Sequence, residues 1–218
     1  MNRRTWLVGA TLLAVVVAFI AGMSLYAKRT HETSSQAAHG NTDALVRPHS
    51  PVFGNPAAKV TIVEFFDPSC ETCRAFHPIV KQIVNSSFGQ VRLVLRYAPL
   101  HQGSDVAVRI LEAARLQGKY WEALEAALVA QPRWAAHHDP KPDQIWELLD
   151  DVGVDVPRAR AAAASSVEIE ELLRQDVADM HRLNVRQTPG FFVNGVPLVE
   201  FGEQQLKALV AQQLQRTR

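Results

Sequence analysis

The sequence predicts an α/β domain with a central mixed sheet, and three observations predict it. Lys59 to Phe66 (KVTIVEFF) is a nearly unbroken β-branched and aromatic run, which suits a central strand covered on both faces. Directly after it, Cys73, Phe76, Val80, Ile83 and Val84 recur at helical spacing. Much later, Gly190 to Val199 (GFFVNGVPLV) places Asn194-Gly195, the pair best suited to a type I′ turn, between two short apolar segments.

Taken in chain order, residues 6–27 form an apolar run behind Arg3 and Arg4, long enough to cross a bilayer as a helix. A cleavable signal has a shorter apolar core, and Leu25 and Ala27 make a weak cleavage site, so the run reads as a transmembrane signal anchor. The two arginines keep residues 1–5 in the cytoplasm and send the rest of the chain out, although Lys28 and Arg29 weaken the asymmetry. Residues 28–54, rich in Ser, Thr, His, Asn, Gly and Pro, read as a polar tether with a short edge strand at Ala44 to Arg47. The folded domain is then expected over residues 55–218.

Within that domain Pro68 ends the first strand, and Cys70 to Val84 is a helix with Cys70 at its N-terminus. Val91 to Tyr97 (VRLVLRY) alternates as a second strand. The stretch from about 104 to 184 is helical throughout. Ser104 is a cap, Gly118 a stop, Pro132 and Pro142 are breaks, Asp155 with Pro157 is a restart, and Asn184 closes the last helix. The hairpin and a helix from Gln204 to Gln215 complete the chain, with no internal repeat.

Basic and acidic residues nearly balance, at a formal net charge of +1, so no long-range field favours nucleic acid. Of the 218 residues only two are cysteines, Cys70 and Cys73, spaced C-x-x-C. Such a pair serves as half a zinc site or as a redox couple, but zinc would have to recruit His77 and a further ligand. Position favours redox chemistry. At a helix N-terminus the unpaired N–H groups and the macrodipole stabilise an anion, which makes Cys70 the nucleophilic thiolate. Cys73, one turn further in, is the resolving thiol.

Two separated motifs, E-F-F-D-P-S-C-E-T-C-R-A-F-H-P and Q-T-P-G-F-F-V-N-G, resemble the exported DsbA-like branch of the thioredoxin superfamily, over most of Ser50 to the C-terminus. The resemblance implies a thioredoxin-like fold with a helical insertion between the second strand and a cis-proline hairpin. It implies that Pro189 is cis, although most X-Pro bonds are trans, and that Thr188 and Pro189 contact an extended substrate peptide. Glu64 matches the family's buried acid, which relays a proton to or from Cys73, with Arg96 on the neighbouring strand as a counter-ion. His77, in a His-Pro step, reads as packing, and His137 and His138 as loop surface.

The strongest oxidants of that family place Pro-His between the cysteines, where this chain has Glu71-Thr72. A carboxylate about 6 Å from the thiolate disfavours it by roughly 0.7 to 3 kcal/mol, blunted by Arg74 three residues on. The couple is therefore expected to be less oxidising than theirs. The expected activity is thiol-disulfide exchange with exported proteins, with no cofactor beyond the Cys70–Cys73 disulfide. A monomer is expected at the membrane, regenerated by an integral-membrane redox protein, either a quinone-linked oxidase or an electron-donating reductase. The alternatives are a specialised reductase for metal- or haem-binding cysteines and a Cu(I)- or Zn-binding module.

Overall fold

The computed structural model describes residues 42–136 and 139–217, with the isolated positions 19, 22 and 23. Otherwise the expected anchor and the tether up to residue 41 lie outside the described residues, as do His137 and His138. Among the described residues no helix is long and apolar enough to cross a membrane.

The chain runs α1 (Thr42–Leu45), β1 (Val52–Gly54), β2 (Val60–Phe66), α2 (Glu71–Asn85) and β3 (Val91–Tyr97). Then come α3 (Ser104–Arg115), α4 (Tyr120–Trp134), a 3-10 turn (Pro142–Ile145) running into α5 (Trp146–Leu149), α6 (Val156–Ser165) and α7 (Val167–Arg182). Strands β4 (Gly190–Val193) and β5 (Val196–Pro197) and helix α8 (Glu203–Arg216) close it. The five strands form one mixed sheet ordered β1-β3-β2-β4-β5. Only the β2–β3 pair is parallel. This is the α/β domain with a helical insertion that the sequence predicts.

β2 lies at the centre, and its alternation sorts the core into two layers. Ile62 and Phe66, with Leu93 and Leu95 of β3, join Val80 of α2, Leu111 of α3, Leu124 of α4 and Leu206 of α8. Val63 and Phe65, with Val94, meet Leu45 of α1, Met180 of α7 and Phe192 of β4 on the other face. Tyr97, ending β3, ties the insert to the sheet through Glu112 at 2.6 Å and Tyr120 at 2.9 Å.

The hairpin forms at Asn194-Gly195, both with positive φ (47° and 83°), as a type I′ turn requires. Asn194 also accepts from the Thr61 N–H through Oδ1 at 2.8 Å, extending the β2–β4 ladder by side chain. Gly118 (φ 72°) and Asn184 (φ 55°) end their helices in the left-handed region, and Asp155 caps α6 by accepting from the Arg158 N–H at 3.0 Å.

Four expectations are corrected. The edge strand lies at Val52–Gly54, paired antiparallel with β3, and not at Ala44 to Arg47. There Ala44 and Leu45 bury in a helical turn and Arg47 turns away to Asp179 at 2.8 Å, and the backbone meets the sheet from Pro51, whose carbonyl accepts from the Leu95 N–H at 3.0 Å. Residues 42–54 consequently belong to the domain, not to a tether. Ser104 opens α3 after Gly103, but its hydroxyl donates to Asp67 and accepts from the Ser69 hydroxyl instead of capping. Pro132 sits inside α4, whose helix continues to Trp134.

Candidate active site

The end of β2 delivers Asp67, Pro68 and Ser69, and the chain turns into α2 with Cys70 as its N-cap, in extended backbone geometry. The N–H groups of the first turn therefore point at the Cys70 sulfur position, where an anion is favoured. From the other side the loop before β4 brings up the cis Thr188-Pro189 peptide. Cys70 Sγ lies 3.3 Å from the Thr188 carbonyl oxygen, to which the protonated thiol donates. Cys73, one turn into α2, is fully buried, while Cys70 keeps a sliver of exposure (6%), and both are free thiols. Of the two, only Cys70 is reachable from solvent.

The two thiols are split electrostatically. The Cys73 thiol hydrogen-bonds the Cys70 sulfur and, against the opposing effect of burial, brings its pKa down to about 5. The backbone N–H groups of Cys73 and Thr72 pull the same way. Burial pushes the Cys73 thiol well above the ordinary range, helped by its bond to Cys70 and by the charge of Glu64. At neutral pH Cys70 is a thiolate and Cys73 a protonated thiol.

Glu64 is wholly buried on β2, and burial, with the Cys70 charge added, raises its pKa to about 8. Neither carboxyl oxygen has a hydrogen-bond partner among the described residues. Arg96 is not its counter-ion, correcting that expectation. The β2–β3 register pairs Glu64 with Leu95 and Phe65 with Arg96, so the two side chains leave opposite faces. Arg96 is spent on the far face, on Asp176 (2.7 Å), Asp179 (2.8 Å) and the Ala44 carbonyl, and Arg47 and His49 reach the same two aspartates.

Glu71 and Thr72 occupy the first, exposed positions of α2. Arg74 donates Nε to Gln131 Oε1 at 2.9 Å. His77 is buried, with Nε2 2.9 Å from Glu125, and burial lowers its pKa against that partner. Among the described residues no group of three or more His, Cys, Asp or Glu side chains is placed to hold a metal ion.

Two residues the sequence reading missed hold the cysteine loop. Gln131 of α4, buried, donates Nε2 to the Pro68 carbonyl at 2.8 Å and the Cys70 carbonyl at 3.0 Å. Asp67, also buried, accepts from the Ser69, Leu100 and His101 N–H groups at 2.8, 2.8 and 3.0 Å, from His101 Nδ1 at 2.7 Å, and from the Ser104 hydroxyl. The Asp67-Pro68 step before the cysteines was a local signal for the second residue. Nothing local marks the first.

A groove of about 350 Å³ runs from Pro189 between the β4–β5 hairpin and the end of α7, with Val185, Phe191, Leu198, Val199 and Phe201 in its walls. A larger cavity, about 620 Å³, lies on the flank of α2 among His77, Lys81 and Glu125 and is lined by neither cysteine.

A family model described as thioredoxin matches residues 47–212. Among solved structures, a thioredoxin-like oxidoreductase from Silicibacter pomeroyi is 31% identical at a TM-score of 0.69, covering 81% of this chain and 98% of that one. The thiol-disulfide exchange protein alpha-DsbA2 from Wolbachia pipientis shares the fold at 21% identity and a TM-score of 0.70, over 84% and 97% of the two chains. A curated relative, a Na(+)/H(+) antiporter NhaA 3 from Salinispora tropica, is 31% identical over 198 residues, 86% of this chain but 28% of the relative. The chain thus spans less than a third of the length of the curated relatives it matches.

Proposed function

Because this chain belongs to the thioredoxin family, we propose that it is a thiol-disulfide oxidoreductase that exchanges disulfides with exported proteins through its Cys70-Glu71-Thr72-Cys73 site. The observation that carries the reading is the split pair: a slightly exposed thiolate at a helix N-terminus, facing a cis-proline loop, backed by a buried protonated thiol.

In the oxidising direction a client thiolate attacks Cys70 Sγ of the Cys70–Cys73 disulfide. The S–S bond breaks and Cys73 leaves as a thiolate. Glu64, an acid whose pKa burial raises, gives that sulfur its proton. A second client thiolate then attacks the client sulfur of the mixed disulfide and expels Cys70, the better leaving group of the two for its lower pKa. Two electrons pass from the client dithiol to the cysteine pair. Thr188 and Pro189 border the attacked sulfur and present backbone to the client chain.

A Cys70 pKa of about 5 falls between the roughly 3.5 of the strongest oxidant of the superfamily and the roughly 7 of thioredoxin. The potential should likewise fall between about −120 and about −270 mV. Export behind an N-terminal anchor, and regeneration by an integral-membrane redox protein, complete the reading. No other cofactor enters the cycle.

Equilibrating the purified protein against glutathione buffers, with the Cys70/Cys73 state read by alkylation and mass, tests it. A pair that cycles within that interval supports exchange. A pair that never cycles refutes it, and one poised near −120 mV removes the tempering role given to Glu71.

A further inference from the structure

The groove beside the cis-proline carries a charge pattern that the exchange reading does not use. Its walls are apolar except at the side formed by the end of α7 and the segment that follows, where Arg182 and Arg186 line it. No Asp or Glu lines the groove. Glu200, exposed between Val199 and Phe201 on the opposite rim, is not among the lining residues. Arg186 is held in place, since its Nε donates at 2.7 Å to Asn184 Oδ1, and Asn184 is itself fixed in the left-handed region at φ 55°. That arrangement leaves the terminal nitrogens of the guanidinium to meet a carboxylate, the partner whose geometry an arginine fork matches.

Resting on the exchange reading above, we infer that this groove selects client segments that pair an apolar residue with an acidic one close to the reacting cysteine, the apolar side chain against Phe191 and Phe201 and the acid against Arg182 and Arg186. The occupant is an extended, cysteine-bearing segment of a client protein. Cys70 Sγ is 3.3 Å from the Thr188 carbonyl, and Arg186 lies two residues before Thr188. An extended chain covers about 3.3 to 3.6 Å per residue, so the acid belongs roughly two to four residues from the client cysteine. Long arginine stems also lie well along apolar walls while their heads stay in water, which lets one rim serve both halves of such a segment.

The test is single-turnover oxidation of two-cysteine peptides by the full-length protein in its disulfide form. The peptides share one apolar sequence and carry Glu, Gln or Lys two, three or four residues from the first cysteine. The first peptide thiolate opens the Cys70–Cys73 bond, and the second displaces Cys70. The products are a peptide disulfide and a reduced pair, read by alkylation and mass. At low ionic strength the Glu peptide should react about threefold to tenfold faster than the Lys peptide at the favoured spacing, with Gln between them, the range for two exposed ion pairs. The ratio should shrink towards one in high salt, and an R182E/R186E double variant should invert the order. Equal rates for the three peptides, or an order the double variant leaves alone, overturn the inference while exchange stands. A protein that oxidises none of the peptides overturns the exchange reading and this inference with it.

Discussion

Glu64 and Arg96 stand on adjacent strands one register step apart and face opposite sides of the sheet. The acid is thereby left without a counter-ion beside the cysteines, and the arginine is committed to two aspartates behind them. The separation keeps Glu64 protonated at neutral pH and hence able to give a proton.

Its cost shows in stability. Glu64 ionises near 4.5 when unfolded and near 8 when folded, so between those values the folded state holds the extra proton and stability falls as pH rises. In the reduced protein Cys70 opposes this, since its pKa drops from 9 to about 5 on folding and its contribution grows over the same interval. Disulfide formation removes the Cys70 titration and exposes the Glu64 slope. The disulfide also removes the Cys70 charge, so burial alone holds the Glu64 pKa up. Urea unfolding of the oxidised protein should therefore weaken as pH rises from 5 towards a folded Glu64 pKa below that of the reduced protein, at a slope approaching about 1.4 kcal/mol per unit. Glu64→Gln should abolish that slope, and a flat wild-type profile would contradict the assignment.

The thiolate at Cys70 depends most on the thiol of Cys73. Cys73→Ala removes that donor, so the ultraviolet thiolate absorbance of Cys70 should titrate with a midpoint above that of the wild type, which is expected at about 5. Alkylation of Cys70 in mildly acidic buffer should slow in step. An unmoved midpoint would assign the stabilisation to the helix N-terminus instead.

Gln131→Ala should destabilise by about 1 to 3 kcal/mol in urea unfolding, because it strands the Pro68 and Cys70 carbonyls and removes the acceptor of Arg74. Gln131→Glu keeps the acceptor but not the two donors. It should recover only part of the loss.

Asp176→Ala should be more severe, about 3 to 5 kcal/mol, since it uncovers one side of the fully buried Arg96 guanidinium and the Tyr97 N–H together. Thermal unfolding reads it directly. An Arg96→Met/Asp176→Asn/Asp179→Asn triple variant, which removes the three buried charges and keeps side-chain acceptors for the Tyr97 N–H and for Arg47, should be milder than the single change.

Much of the site was legible because its signals are local. KVTIVEFF, the C-x-x-C step at a helix start and the Asn194-Gly195 turn each state their geometry within a few residues. The cis Thr188-Pro189 peptide was reached only through the resemblance, as local sequence favours trans. What escaped was long-range. Gln131 reads as one polar residue on an amphipathic helix, and its role appears only when α4 folds back over Pro68. Arg96 differs from its expected role by parity, since adjacency of strands leaves open the register that decides which side chains share a face. The edge strand was misplaced because Ala44 and Leu45 suit a buried strand and a buried helical turn equally well.

Asp67 has a mechanical consequence. One carboxylate gathers donors from the cysteine loop, the turn after β3 and the first residue of α3, and Gln131 adds a second stitch from α4. The insert cannot swing as a lid over the thiols without breaking both sets of buried bonds. The site is a fixed jaw, and under the proposed exchange activity the adjustment that docking demands has to come from the polypeptide brought to it. On that reading, chains that are still loosely folded, with cysteines on yielding segments, are the ones such a jaw would grip.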